Sequence, residues 1–410
     1  MSSPLYTLSK GASSLDLLAS PYLATSMYPG NVPRSIALEG GGPTDDLPQV
    51  GYISMSGERR IPLSVEVWGT TGDSCEANVR ALIDMLPKVR GETSTLSIRR
   101  ADGTNTCKAT VLAVENLNCD YEHVRHVRYR ALLTCDLICQ PYLYSASAQT
   151  LYNAHTFALP AVVDLTAQIG QYRAPLDIAV TASGGGLARV FAGLYADATA
   201  AIGLFVRKAV DLAWSGGAAA ADAAGYPDGV GNTVWGSNAA AGVYADIDDT
   251  AMAPGEYLIV ANCKATTANH AYAAVGGLDW VAIPSTSLDL LVLGIVTLPY
   301  KTVRSGGASA LRVYLQGDGS TNYAYLNYVA LLPCPVLGWK KASGGATTVR
   351  VENGLFYVDN IADLSDLVGA RQVSALGGEL VMLGTTTTPA PTRNLDVSIS
   401  ATARWEQFPA

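Results

Sequence analysis

The sequence is poor in charge and in histidine. Only 15% of its 410 residues are Asp, Glu, Lys or Arg, and there are 4 histidines, His123, His126, His155 and His270. No Gly-x-Ser-x-Gly elbow, His-Glu-x-x-His pair or phosphate-binding loop occurs, so the common nucleophilic, zinc-hydrolase and nucleotide chemistries have no residues to run on. Nothing singles out a carboxylate pair for glycan cleavage. No catalytic residue is expected, and none is named. Long apolar runs are lacking too. The longest, Leu290–Leu298, is interrupted by Gly294 and Thr297, far below the roughly 20 residues of a membrane span. The start, Met-Ser-Ser-Pro, has no basic flank, and Leu15–Ala19 is too short for a signal-peptide core. Net charge is −8, and both halves of the chain are acidic, which argues against nucleic-acid recognition. The 7 cysteines form an odd set with no framework spacing, as expected of a chain made in a reducing cytoplasm.

Half of the residues are apolar, 49%, enough for two or three domains with cores of their own. The best-patterned stretch is Arg59–Gln140. In the strand Arg60–Trp68, Ile61, Leu63, Val65 and Val67 share a face, with Arg60, Ser64 and Glu66 on the other. Pro62 restricts pairing there to one side. After Gly69-Thr-Thr-Gly72, Asp73 reads as a helix cap with Glu76 as its capping-box partner. Val79, Leu82, Ile83 and Leu86 form an apolar helix stripe. Pro87 and Gly91 end it. Strands follow at Thr95–Arg99, Thr106–Glu115 and Val124–Cys139, where Val127, Tyr129, Ala131, Leu133, Cys135, Leu137 and Cys139 share a face. The unit reads as an antiparallel sheet with one helix laid on it.

Several of these features resemble the N-terminal domain of siphophage distal tail proteins. They are the arginine-led strand, the Gly-Thr-Thr-Gly-Asp turn into the helix, the Leu82-x-x-x-Leu86 helix end and the exit through Cys139-Gln-Pro-Tyr142. The resemblance covers residues 1–145. It implies a homo-oligomeric, hexameric ring around the end of the tail tube, with tail tube protein and tail hub or tip proteins as partners. It further implies a virion location after assembly in the host cytoplasm, and it brings no catalytic residues and no cofactor.

Residues 1–48 show weak periodicity, with a loop at Gly40–Asp46. Residues 146–160 read as a linker, and 161–410 as a second β-rich domain. Its strand candidates are Ala174–Val180, Val190–Tyr195, Gly203–Val206, Glu256–Asn262, Leu288–Thr297, Ala310–Leu315 and Tyr323–Leu332, with a glycine turn at Ser183–Gly186. The run Asn322–Pro333 resembles the closing strand of jelly-roll modules in phage tail and carbohydrate-binding proteins. Thr347–Val351 and Leu355–Val358 flank an Asn353-Gly354 hairpin turn. Residues 395–406 alternate cleanly, as one long strand that either completes the second domain, the favoured reading, or returns to the first. The expected class is therefore mostly β: an N-terminal antiparallel β-sandwich with one packed α-helix, then a galectin-like or carbohydrate-binding-module-like sandwich or jelly roll.

Four constellations invite a function. Cys119, His123 and His126 near Cys135 and Cys139 suggest zinc, but His126 is out of phase with the two cysteines. Asp246, Asp248, Asp249 and Glu256 suggest calcium, against the simpler account of a solvated loop. No metal is expected. Trp214, Trp235, Tyr226 and Tyr244 lie in or beside an Ala/Gly-rich region; they suit either sugar stacking on a host-surface glycan or anchoring of loops. Arg125, Arg128 and Arg130 suit a subunit interface with an acidic partner, or a solvated edge. The main reading is a structural tail component; the alternative is a carbohydrate-binding tail adhesin.

Overall fold

The computed structural model describes residues 5–27, 58–89, 91–99, 106–123, 129–182, 186–196, 202–221, 233–299, 311–341, 345–386 and 394–405. The chain divides into two compact units. The first comprises Met1–Ala148, Gly170–Arg173 and Thr402–Ala410; the second comprises Gln149–Ile169 and Ala174–Ala401. The fold is mostly β with antiparallel pairing.

In the first unit β1 (Leu5–Lys10), β2 (Ser13–Asp16), β3 (Tyr22–Met27), β4 (Arg59–Gly69), α1 (Gly72–Asp84), β5 (Ser94–Arg99), β6 (Cys107–His123), β7 (Tyr129–Cys139) and β8 (Leu143–Ser145) follow in order. They form one sheet, ordered β2-β1-β5-β6-β7-β4-β3. Ile61, Leu63, Val65 and Val67 of β4 and Ala131, Leu133, Cys135, Leu137 and Cys139 of β7 are all buried, as their alternation requires. On that face lies α1, through Cys75, Val79 and Leu82. Its cap is Thr71, not Asp73. The Thr71 hydroxyl accepts from Ser74 N at 3.1 Å, and Ser74 Oγ accepts from Thr71 N at 2.9 Å. The capping box therefore closes two residues early, on hydroxyls. Glu76 instead pairs with Arg80 at 2.5 Å, one turn along. Arg59, fully buried, donates from Nε to Pro141 O at 3.1 Å. Pro62 pairs with Asp136 of β7, and Met27 of β3 lies opposite Leu63.

The second unit begins with β9 (Gln149–Ala158), β10 (Ala161–Asp164), β11 (Ala174–Ala182) and β12 (Leu187–Tyr195). Next come α2 (Ile202–Phe205), β13 (Val206–Lys208), β14 (Ala218–Ala221), β15 (Thr233–Ser237), β16 (Val243–Ile247), β17 (Gly255–Ala265), β18 (Tyr272–Val275), β19 (Val281–Ala282), β20 (Asp289–Leu298), β21 (Leu311–Gln316) and β22 (Ala324–Pro333). It ends with β23 (Val336–Lys340), β24 (Thr348–Glu352), β25 (Leu355–Val358), β26 (Ile361–Ala362), β27 (Leu367–Gly369), β28 (Ser374–Ala375), β29 (Glu379–Thr386) and β30 (Asn394–Ala401). The last strand, β31 (Arg404–Trp405), pairs with β8 in the first unit.

These strands make four sheets. Sheet I runs β26-β25-β24-β11-β30-β9, with β28 also on β11. Sheet II is β10-β29-β12-β23-β27; sheet III is β14-β15-β22-β17-β20 with β13 on β22; sheet IV is β16-β21-β18-β19. Sheet II is covered on both faces. Val190, Ala192, Leu194, Leu380 and Met382 share a core with sheet I, while Phe191, Tyr195, Val336, Val381 and Leu383 share one with sheets III and IV. Sheet III is likewise buried on both sides, which is why β17 and β22 are near-continuous runs of buried residues rather than alternating ones. Gly338 faces Phe191 across the ladder. A Cβ there would lie 2.7 Å from the ring, so only glycine leaves the phenylalanine its space. Arg189 of β12 and Asp289 of β20 form an ion pair at 3.0 Å between sheets II and III.

The second unit is thus two sandwiches, with the sheet III/IV body inserted between β12 and β23 of the sheet I/II body. Several sequence expectations change accordingly. Residues 146–160 are no linker, because β9 fills them and pairs with β30. The alternating run 395–406 is not one strand. It breaks after Ala401, and Ala403 and Trp405 enter the core of the first unit. Gly203–Val206 opens as a helical turn, not a strand. Residues 5–27, aperiodic in sequence, are strands of the first sheet, ordered by their pairing partners β5 and β4. The Asn353-Gly354 turn forms with φ of +51° and +76°, the left-handed conformations its residue types favour. The loop at Gly40–Asp46 and the Ser183-Gly-Gly turn residues lie outside the described residues.

Candidate assembly and recognition surfaces

The first surface is the arm formed by β6 and β7. Along one edge, β6 pairs with β7 from Val111 to His123. Along its other edge, β5 covers only Cys107–Val111. Beyond Val111 no described strand pairs with that edge. The ladder with β7 is interrupted between Glu115 and Asn118, and Asn116 sits at φ +52°. Such a bulge re-aims the side chains around it. Leu112, Leu117 and Tyr121 are 37%, 46% and 50% exposed. Edges without a partner strand usually carry charge or proline; this one carries Glu115, Asp120 and Glu122, but exposes leucine and tyrosine between them.

Of the three arginines expected at an interface, Arg130 is on β7 and forms an ion pair with Glu66 of β4, both side chains largely covered. Its charge is compensated inside the unit. Arg125 and Arg128 lie outside the described residues, as does His126. Among the described residues no three His, Cys, Asp or Glu side chains gather as a metal site. All 7 cysteines are free thiols. Burial pushes Cys107 up to about 11 and Cys135 and Cys139 up to about 12.

The second surface is the outer face of sheet IV. Along β16 and β21 the residues alternate strictly. Val243, Ala245, Ile247, Leu311, Val313 and Leu315 are buried, so Tyr244, Asp246, Arg312, Tyr314 and Gln316 face out. Tyr244 and Tyr314 lie opposite each other across the ladder, their rings 5.9 Å apart. Trp280 meets Tyr314 edge-on at 6.0 Å. Tyr272 stands on β18 opposite Gln316. Tyr244, Tyr272 and Trp280 are 40%, 36% and 43% exposed. The Arg312 guanidinium lies 4.3 Å from the Tyr244 ring centre and is held by Asp246, Nε to Oδ1 at 2.6 Å and Nη2 to Oδ2 at 3.4 Å. That hydrogen bond, with one to Tyr314, raises the arginine's pKa further. The result is a rigid aromatic surface with fixed polar groups among the rings.

Of the described aromatics expected to touch sugar, only Tyr244 lies on this face. Trp235 is buried in the core. Trp214 is half-buried, packs edge-on to Trp235 at 4.9 Å and donates from Nε1 to Ala209 O at 2.7 Å. Tyr226 lies outside the described residues. Sequence reasoning missed Tyr272, Trp280 and Tyr314 by looking for aromatics in glycine-rich loops. The signal was the period-2 register of 243–247 and 311–316. The acidic cluster does not converge: Asp246 holds Arg312, Asp248 accepts from Thr250, and Asp249 is buried.

No family model matches this chain, and no curated protein does. Solved structures with a similar chain path include the Dit protein of phage SPP1, described as a paradigm of the hub adsorption apparatus in phages infecting Gram-positive bacteria. It is 11% identical, with a TM-score of 0.40, over 98% of this chain and 99% of that one. Another is the baseplate of phage P2 in its activated conformation with Ca, 8% identical, TM-score 0.31, over 99% of both chains. At these identities and TM-scores nothing is carried over from either protein to this one.

Proposed function

We propose that the chain is a structural component of a phage tail, a distal tail protein that closes into a ring at the end of the tail tube and joins it to the tail tip. The edge of β6 beyond Val111, which no described strand covers and which exposes leucine and tyrosine among its acidic residues, carries this reading. An edge of that length with exposed Leu112, Leu117 and Tyr121 is a template for a strand of a second copy. A head-to-tail contact whose rotation closes yields a ring. The features that resemble distal tail proteins, the β4 strand, the turn into α1 and the exit past Cys139, belong to the same unit. Mass photometry of the purified protein and electron micrographs of tail ends test the proposal. Rings, hexameric by that resemblance, are expected, and Leu117→Asp with Tyr121→Lys should yield monomers with an unchanged melting temperature. Wild-type protein that stays monomeric and is missing from tail ends would refute it.

A second reading is favoured by the outer face of sheet IV: the inserted sandwich contacts a host-surface glycan through Tyr244, Tyr272, Trp280 and Tyr314. Rings with open edges suit the C–H faces of sugars. Adsorption to host cells and glycan-array binding should fall in Trp280→Ala and Tyr314→Ala at unchanged stability. Equal adsorption in both variants would leave the face without this role.

A further inference from the structure

The outer face of sheet I holds a groove of about 290 Å³. Its lining comes from β9, β11, β24 and β30. The inward residues Leu176, Ile178, Val351 and Ile399 are buried, so Asp177, Ala179, Arg350, Glu352, Ser398 and Ser400 point outward. The small Ala179 sits between Arg350 and Ser398 on the neighbouring strands, and its missing bulk leaves the floor open. Thr150 and Asn153 of β9 form the far wall. At the end beyond Ala179 the face is closed by polar pairs, Thr181 with Thr348 at 3.1 Å and Thr156 with Asp396 at 2.6 Å. The groove lies where such pairs stop.

The charges in the groove do not balance. Arg350 is the one cation among the lining residues. It is ion-paired with Glu352 and lies 4.4 Å over the Tyr357 ring. Asp177 is left with a single backbone donor, Asn353 N at 2.8 Å on Oδ1. Burial raises its pKa, the Asn353 N–H acts against that, and the neighbouring Glu352 raises it further. A partly buried carboxylate without a cation wants one from outside.

We propose that this groove binds an amino-sugar unit of a glycan, with the ammonium on Asp177 and the ring hydroxyls among Thr150, Asn153, Ser398 and Ser400. The site is independent of both readings above, since it lies on another sheet. A lysine side chain would supply the same cation, but it has no hydroxyls to meet Thr150, Asn153, Ser398 and Ser400 of the lining, which a sugar ring does. A groove of about 290 Å³ has room for one hexosamine ring, and the Ser398 hydroxyl, which accepts from Ala154 N at 2.8 Å, keeps its own proton to donate to it.

Isothermal titration calorimetry on the full chain tests this with three probes: the glucosamine hexamer, its fully N-acetylated form and a lysine hexapeptide. Binding of the glucosamine hexamer is expected, with the acetylated form and the peptide each at least about tenfold weaker. Asp177→Asn should weaken it about tenfold. Ala179→Leu, which fills the floor, should remove it. Neither variant should melt lower than wild type, because both residues are on an outer face and the Asp177 charge costs the unliganded fold. Tyr314→Ala should bind as wild type does, which separates this site from sheet IV. Failure of the glucosamine hexamer to bind, binding unchanged in both groove variants, or a lysine peptide that binds as tightly would each overturn the proposal.

Discussion

Excising the inserted sandwich should strip one face of sheet II. The cut is simple in connectivity: β12 and β23 are antiparallel neighbours with Gly193 opposite Val336, so a short turn can replace residues 196–335. The energetics are less forgiving. Phe191, Val381 and Leu383 are fully buried, and Val336 and Tyr195 are 5% and 8% exposed, all within the core shared with sheets III and IV. Each such side chain contributes about 1.5–3 kcal/mol by burial. Exposing the set forfeits about 10 kcal/mol, comparable with the entire stability of an ordinary domain. Arg189 also loses Asp289. The excised protein should therefore aggregate on size exclusion, bind a hydrophobic dye and show no cooperative melt for this sandwich. A companion with Phe191→Thr, Val381→Thr and Leu383→Lys should regain solubility, because one polar face suits a sheet packed on one side only. An excised chain without those changes that remains monomeric, dye-free and as stable as the full protein would refute the shared core.

Leu82→Ala in α1 should cost about 2–5 kcal/mol, since Leu82 is fully buried against the first sheet; a urea titration that loses assembly but no stability would instead put the helix at an interface. Trp405→Ala should cost about 3–5 kcal/mol and appear in the melt of the first unit, because Trp405 is 5% exposed in that core and β31 pairs with β8. Stability should also fall at alkaline pH. Thiols free in the unfolded chain ionise near 9.0, while folded Cys135 and Cys139 hold their protons to about 12. The folded state then binds more protons, so their contribution is full below pH 9 and is lost as pH rises toward 12. Urea midpoints across that window should fall more gently in Cys135→Ala than in wild type, and identical slopes would contradict the assignment.

The first sheet was legible because each of its central strands buries one face only. Ile61 to Val67 and Ala131 to Cys139 alternate, and α1 shows its stripe at Val79 and Leu82. What misled was local chemistry with two acceptable answers. Thr71 and Asp73 both suit a helix cap, and the position of Ser74 decided between them. Periodicity could not identify sheets II and III as shared layers, since a strand buried on both faces has no period. Residues 395–406 kept their alternation through a change of unit, because Ala401, Ala403 and Trp405 are buried in different cores and a period of 2 does not record which core receives a side chain. The aromatic face of sheet IV was written in the sequence as Tyr244-x-Asp246 and Arg312-x-Tyr314-x-Gln316, but only the pairing of β16 with β21 brings the two segments together.

The connectivity accounts for the chain's nested order. Its first unit is left after β8 and re-entered at β31, and those two strands pair, Leu143 with Trp405. The sheet I/II body is left after β12 and re-entered at β23, which also pair. Each insertion thus starts and ends on adjacent antiparallel strands, where a hairpin turn would otherwise stand. A turn at such a place can be replaced by a folded body without moving the host ladder. One short return between the two ends, Gly170–Arg173, reinforces the first seam: Gln171 N donates to Arg404 O at 2.8 Å, and Tyr172 packs on Tyr142 at 5.3 Å. The two seams differ in cost. At the outer one, β8 and β31 are ordinary strands closing a core that belongs to the first unit. At the inner one, sheet II gives the insertion one of its two buried faces, so the inserted sandwich is part of the fold that holds it.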